Sequence, residues 1–152
     1  MGNEKKASEA EILSHLLLFA YQETLRSLCV FPHTYLTHAI LDSLIRICKR
    51  MNLGLVKGEN LEDALNRYAN TLKDSGLVKD AWFEKIGGEK YVFNVQGCLY
   101  ARYVHSILKP EKLTCRFALI AMAIYEKFLG KRVKLADSEF TVDGSKTVIE
   151  PI

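Results

Sequence analysis

Two cysteines and one histidine in the second half of the chain are the residues best suited to chemistry. Cys98 and His105 are seven residues apart, which places them on one face of a helix after two turns. Cys115 opens the next predicted helix and could turn back toward them. Thiolate and imidazole together suit zinc or another borderline-soft metal. The sequence therefore offers a metal or thiol-redox sensor at Cys98, His105 and Cys115, with zinc as the possible metal.

The same three residues have two other interpretations. A thiol beside an imidazole can act as a nucleophile with its base, so a cysteine-dependent small hydrolase is a further hypothesis. Free cysteines in proteins are usually buried, so the favoured alternative is that Cys98 and Cys115 are small apolar packing residues. Cys29 and Cys48 are interpreted only as packing residues.

The remaining polar residues predict no further site. His15, His33 and His38 are expected to be ordinary surface or hydrogen-bonded histidines, and His33 and His38 are five apart, which does not align two ligands on a helix. No two carboxylates are brought together by the pattern, so no catalytic residue is assigned and the chain is interpreted as leaning away from an enzyme.

A segment near residues 111–129 is apolar on nearly all sides, which is typical of the most buried helix of a domain. Its side chains, with aromatic residues of the predicted first hairpin, form a core or the wall of a pocket for a hydrophobic ligand. The predicted wall consists of Trp82, Phe93, Phe117, Ile120, Ala121, Ile124 and Phe128.

Periodicity predicts the elements that position these residues. Helices are expected at about 9–28 and 33–51, and a third is capped by Asn60 and ends at Gly76. A hairpin at 79–86 and 90–96 turns at Gly87-Gly88. A short helix from Cys98 to Leu108 and the helix at 111–129 follow. A second hairpin ends the chain, and its alternation slips at Asp137-Ser138, which predicts a bulge.

This order predicts an α+β fold, with a four-stranded antiparallel sheet from two hairpins and helices packed on one face. The 152 residues suit a single domain. We expect this domain to consist of a disordered tail at 1–7, a helical half at 9–75 and a hairpin–helix–helix–hairpin half at 79–150.

Composition and charge indicate which cellular compartment and which binding partners to expect. The net charge is +3, from 21 basic and 18 acidic residues, and no basic stripe suggests nucleic acid. The apolar runs Leu16 to Ala20 and Phe117 to Tyr125 are shorter than the ~20 residues of a membrane span. The polar first ten residues show no signal peptide, so a cytoplasmic protein with reduced thiols is expected. The absence of a C-x-x-C pair argues against a zinc ribbon and a thioredoxin-type redox motif.

The stretch GCLYARYVHSILKPEKLTCRFALIAMAIYEKFLGKRVKLADSEFTVDGS carries a family resemblance. With Cys98 opening a short helix, Cys115 just inside the next, Gly130 ending it and a closing hairpin at Gly144, it resembles the 4-vinyl-reductase or hydrocarbon-binding domain family. That family shares the fold of the small TRAPP vesicle-tethering subunits. The likeness covers about residues 79–150. Many members carry further cysteines in the last hairpin, whereas this chain has none after Cys115.

The resemblance implies a small apolar molecule bound between the sheet and the buried helix, and a homodimer formed through the helices. The leading expectation is therefore a non-enzymatic, dimeric, regulatory or sensory domain that binds a hydrophobic ligand. A pure interaction subunit is the further alternative, and its mark is a large exposed apolar face on the first two helices.

Overall fold

Five helices and four strands make up the computed structural model, which describes residues 7–28, 33–53, 57–107 and 114–152. The helices are α1 (Glu9–Leu28), α2 (His33–Arg50), α3 (Leu61–Asp74), α4 (Ala101–Val104, continued by a 3₁₀ turn at His105–Ile107) and α5 (Arg116–Leu129). The strands are β1 (Asp80–Gly87), β2 (Lys90–Gln96), β3 (Val133–Phe140) and β4 (Ser145–Pro151).

The four strands form one antiparallel sheet in the order β1-β2-β4-β3. The two hairpins thus join through β2 and β4, and α3 and α5 pack against the sheet, so the predicted α+β fold class is confirmed. The bulge predicted at Asp137-Ser138 is also confirmed, because the register of β3 on β4 shifts between Leu135 and Asp137.

Local sequence signals set several helix ends, and those at Asn60 and Gly130 were predicted. The Ser8 and Glu11 side chains form a capping box at the start of α1, with the Ser8 backbone N–H donating to Glu11 Oε2 at 2.8 Å. Asn60 caps α3 by accepting a hydrogen bond from the Asp63 N–H at 2.9 Å. Gly130 ends α5 in the left-handed conformation, with φ of 69°.

Three boundaries differ from the sequence prediction. Ala7 is half-buried against the core, so the last residue of the predicted tail is packed; residues 1–6 lie outside the described ranges. Cys98 precedes α4 rather than lying in it, and the helix tightens to 3₁₀ at His105. The last helix begins at Arg116, and residues 108–113, where its start was predicted, lie outside the described ranges.

The core is organised around α5, whose residues 117–119 and 121–126 are all buried. It packs against α2, α3 and β3. Tyr68 of α3 donates from its hydroxyl to the Phe117 carbonyl at 3.0 Å, which satisfies a polar group inside this apolar contact.

Gly144 lies so close to the backbone of β2 that no side chain fits at this position, whatever the turn requires. A Cβ atom at this position would overlap the carbonyl oxygen of Val95 on β2. The sequence predicted the Asp143-Gly144 turn, but the contact with β2 arises only when the second hairpin docks onto the first.

A buried carboxylate ties three elements of the fold together. Glu126 of α5 accepts a hydrogen bond from the Val133 backbone N–H at 3.1 Å and from Arg132 at 3.0 Å. His38 of α2 lies 3.7 Å from the same side chain and contacts the Val133 carbonyl at 2.9 Å. Glu126 thereby fixes the exit of α5 into β3 and the position of α2.

We expect Glu126→Ala to lower the free energy of unfolding by about 2–3 kcal/mol, because it leaves the buried Val133 N–H without its acceptor and Arg132 without one partner. Glu126→Gln retains an acceptor oxygen and should lose less. Urea unfolding followed by circular dichroism measures both. Glu139→Ala, an exposed glutamate of β3, is the control and should change stability by no more than about 0.5 kcal/mol.

Candidate functional site

Cys98, His105 and Cys115 are held by three different elements near one end of the sheet. Cys98 follows β2, is half-buried, and its backbone N–H donates to the Asp143 carbonyl at 2.9 Å. Cys115 is buried at the N-cap of α5. His105 contacts the Thr141 carbonyl through Nδ1 at 2.8 Å. The helical face that was predicted to align Cys98 with His105 does not exist, because Cys98 lies before α4.

These three side chains do not form a metal-binding set. Within the four described ranges, no three His, Cys, Asp or Glu side chains are grouped so that they could hold a metal ion. His105 turns toward the second hairpin, where its ring lies edge-on to Phe140 at 5.0 Å between centroids. The described residues thus give no support to the zinc site predicted at Cys98, His105 and Cys115, although the pKa of Cys98 is raised by burial and also by the Cys115 thiol, which is near enough to contribute.

The surroundings of Cys98 also disfavour thiol chemistry. Burial raises the pKa of the Cys98 thiol to about 11, and the backbone N–H of Tyr100 offsets only part of this effect. Burial lowers the pKa of His105, so the histidine is neutral near pH 7. A thiolate is the reactive form of cysteine, and this environment favours the protonated thiol. A cavity of about 360 Å³ adjoins Cys98 between Lys79, Arg102 and Asp143.

The predicted ligand-pocket residues separate into three groups. Phe93, Phe117, Ala121 and Ile124 are buried in the core. Ile120 and Phe128 are half-buried against it. Trp82 is the exception, since 37% of it is exposed.

Trp82 lies on the opposite face of β1 from the core. Its neighbours Ala81 and Phe83 point inward, and the Phe83 ring stacks on Phe93 at 4.4 Å. The Trp82 indole N–H donates to Glu84 on the outer face at 2.6 Å. Because Trp82 and Phe83 are adjacent and both aromatic, alternation along the strand does not show which of them faces the core. The stacking of Phe83 on Phe93 places Phe83 inward and Trp82 outward. Trp82 is therefore not part of the core-side wall that the sequence predicted.

His15 is the polar residue that sequence reasoning missed. It is only 2% exposed, and its ring stacks on Tyr100 at 4.2 Å and meets Phe19 edge-on at 4.9 Å. Neither ring nitrogen has a hydrogen-bond partner among the described residues. Placed between leucines, it was expected on the helix surface, and only the docking of α1 reveals its burial.

A second inward polar residue anchors the same helix. Gln22 of α1 donates to the Thr114 carbonyl at 3.2 Å and accepts from the Thr114 N–H at 3.1 Å. This reciprocal pair satisfies backbone groups just before α5 in the manner of a strand partner. The buried face of α1 is thus formed by His15, Phe19 and Gln22.

The outward face of α1 carries the apolar side chains. Leu13, Leu17 and Tyr21 are 59%, 57% and 62% exposed, and Leu25 continues the stripe one turn later. Residues spaced by four lie along one side of a helix. We call these four residues the α1 stripe. On α2, Ile47 and Met51 are also exposed and one turn apart.

Comparison with models of protein families, with curated protein sequences and with solved structures yields no match for this chain. Within the described ranges, no helix combines the length and apolarity needed to cross a bilayer.

The burial of His15 predicts a pH dependence of stability. Burial, with Arg116 and His105 nearby, lowers the His15 pKa to about 3 from 6.5. Between these values the unfolded chain binds a proton that the native state excludes. Stability should therefore fall as pH drops from about 6.5 toward 3, by at most about 1.4 kcal/mol per pH unit for this group.

Urea unfolding between pH 4.5 and 7 measures this dependence. His15→Phe keeps an aromatic ring on Tyr100 and should flatten the acid slope, whereas Lys146→Gln, at an exposed residue of β4, retains His15 and should keep it. An identical slope in the wild type and in His15→Phe would assign the dependence to other groups.

Proposed function

We propose that the protein is a non-enzymatic binding module that acts as a homodimer through the α1 stripe. The observation that carries the proposal is the exposed apolar stripe of α1: Leu13, Leu17 and Tyr21 point outward, although the inner face already buries Phe19 beside His15 and Gln22. Apolar surface in water is unfavourable, and a contiguous exposed stripe is typical of an interaction site.

The α1 stripe matches a second copy of itself. Leu13 and Tyr21 lie one turn on either side of Leu17, so an antiparallel pair with a two-fold axis at Leu17 sets Leu13 of one chain against Tyr21 of the other. Such self-complementarity is what a symmetric dimer requires. Ser14 and Ala20, both exposed beside the stripe, are small enough for two helices to approach closely.

We expect Leu17→Asp to convert the dimer to a monomer, because it places a charge at the centre of the apolar contact. Sedimentation equilibrium across micromolar concentrations measures the association. Val142→Asp, at an 88%-exposed apolar residue of the second hairpin, is the matched control and should leave the dimer intact. A wild-type chain that stays monomeric at these concentrations contradicts the proposal.

A second candidate function is the binding of an apolar molecule between α5 and the sheet. What favours it is a row of buried hydroxyls on the core face of β3 and β4. Ser138, Ser145 and Thr147 have no hydrogen-bond partner for their hydroxyls among the described residues. Thr147 pairs in register with Phe93, one of the predicted pocket residues. Unpaired buried hydroxyls beside apolar side chains suit an apolar ligand with one polar end.

We expect native mass spectrometry of the purified protein to show a bound molecule that organic extraction releases. Thr147→Val has nearly the same shape without the hydroxyl, so it should reduce the bound fraction. If extraction releases nothing, and Thr147→Val only raises the free energy of unfolding, the hydroxyls belong to a closed core and this second candidate is wrong.

A further inference from the structure

A groove runs between the start of α3 and the β1–β2 hairpin, away from α1 and from the cysteines. It consists of two cavities of about 220 and 340 Å³ that are both lined by Glu62, Lys85 and Tyr91. We call it the Tyr91 groove. Its apolar part is formed by Leu65, Phe83 and Leu129, and Glu89 adds a second carboxylate.

The polar end of the Tyr91 groove already holds an ammonium group. Lys85 Nζ lies 3.7 Å from Glu62 Oε1 and 5.7 Å from the centroid of the Tyr91 ring. The Tyr91 hydroxyl donates to the same Glu62 oxygen at 3.2 Å. The Lys85 and Glu62 side chains are 52% and 63% exposed, so their ion pair contributes little and can be exchanged.

A buried tyrosine behind the Tyr91 groove has an unused hydroxyl. Tyr125 is fully buried, and its hydroxyl has no hydrogen-bond partner among the described residues. Its ring meets Tyr91 edge-on at 5.6 Å between centroids. Burial raises the pKa of the Tyr125 hydroxyl to about 12.

We propose that the Tyr91 groove binds a small organic cation, a primary amine that carries one apolar ring. Glu89 is paired with Lys131 at 2.8 Å, whereas Glu62 is held by Lys85 only at 3.7 Å, so Glu62 is the carboxylate open to a competing ammonium group. An aromatic face beside a carboxylate attracts ammonium groups. The ligand ammonium would take the position of Lys85 on Glu62 and Tyr91, and its ring would lie on Leu65, Phe83 and Leu129.

The proposal is independent of dimerisation, because the Tyr91 groove and the α1 stripe share no residue. It also makes Lys85 a competitor of the ligand. Removal of the Lys85 charge should therefore strengthen the binding of an amine, whereas it would weaken the binding of an anion. Whether removal of the Lys85 charge strengthens or weakens binding therefore distinguishes a cationic from an anionic ligand.

Isothermal titration calorimetry of the full chain with 2-phenylethylamine tests the proposal, with phenylacetate as the matched anion. We expect the wild type to bind the amine and not the anion. Lys85→Gln should bind the amine roughly two- to fivefold more tightly, since it removes an exposed ion pair that competes. Glu62→Gln should bind it roughly tenfold or more weakly, since it removes the charged acceptor.

A control variant makes the result specific. Lys146→Gln removes an exposed lysine of β4 outside the Tyr91 groove and should leave the affinity unchanged. Glu62→Gln and Lys85→Gln should keep the wild-type unfolding midpoint, because both side chains are exposed. Absence of amine binding at millimolar concentration, weaker binding by Lys85→Gln, or preference for phenylacetate would each overturn the proposal.

Discussion

The burial of α5 is the constraint on which the rest of the structure depends. A helix that is apolar on nearly every side must be covered on every side, and here α2, α3 and the sheet supply the cover. The polar groups that this burial encloses are then satisfied at specific points. Tyr68 bonds to the Phe117 carbonyl, and Glu126 bonds to Val133 and Arg132 at the exit into β3. Because β3 begins at this exit, the position of the second hairpin follows from the position of α5.

The first helix stands in contrast to α5. Its inner face combines the stacked ring of His15 and the Gln22–Thr114 pair with the apolar Leu16 and Phe19, whereas Leu13, Leu17 and Leu25 face solvent. A helix that is apolar on two sides can contact two bodies at once, and the core of one chain uses only one of those sides. The fold therefore separates a surface suited to self-association from the interior. The Tyr91 groove lies on other elements, so the proposed amine and the proposed second copy of the chain would not compete for the same surface.

Several elements could be predicted from neighbouring residues alone. The capping box of Ser8 and Glu11, the Asn60 cap, the Gly130 end of α5 and the bulge near Asp137 all depend on interactions within a few residues or within one hairpin. The spacing of Cys98 and His105 does not show what the folded chain packs against them: Cys98 lies before α4, and His105 turns to the Thr141 carbonyl.

The sequence by itself determined the α+β order of elements, the two hairpins and the central helix, because hydrophobic periodicity and capping are local properties. Tertiary structure alone decided the orientation of each amphipathic face. It turned Trp82 outward through the Phe83–Phe93 stack, and it buried His15 beneath leucines that remain exposed. It also brought Glu62 of α3 to Tyr91 of β2, residues 29 positions apart. These outcomes depend on which surfaces meet, and a short window of residues holds no information about its distant partners.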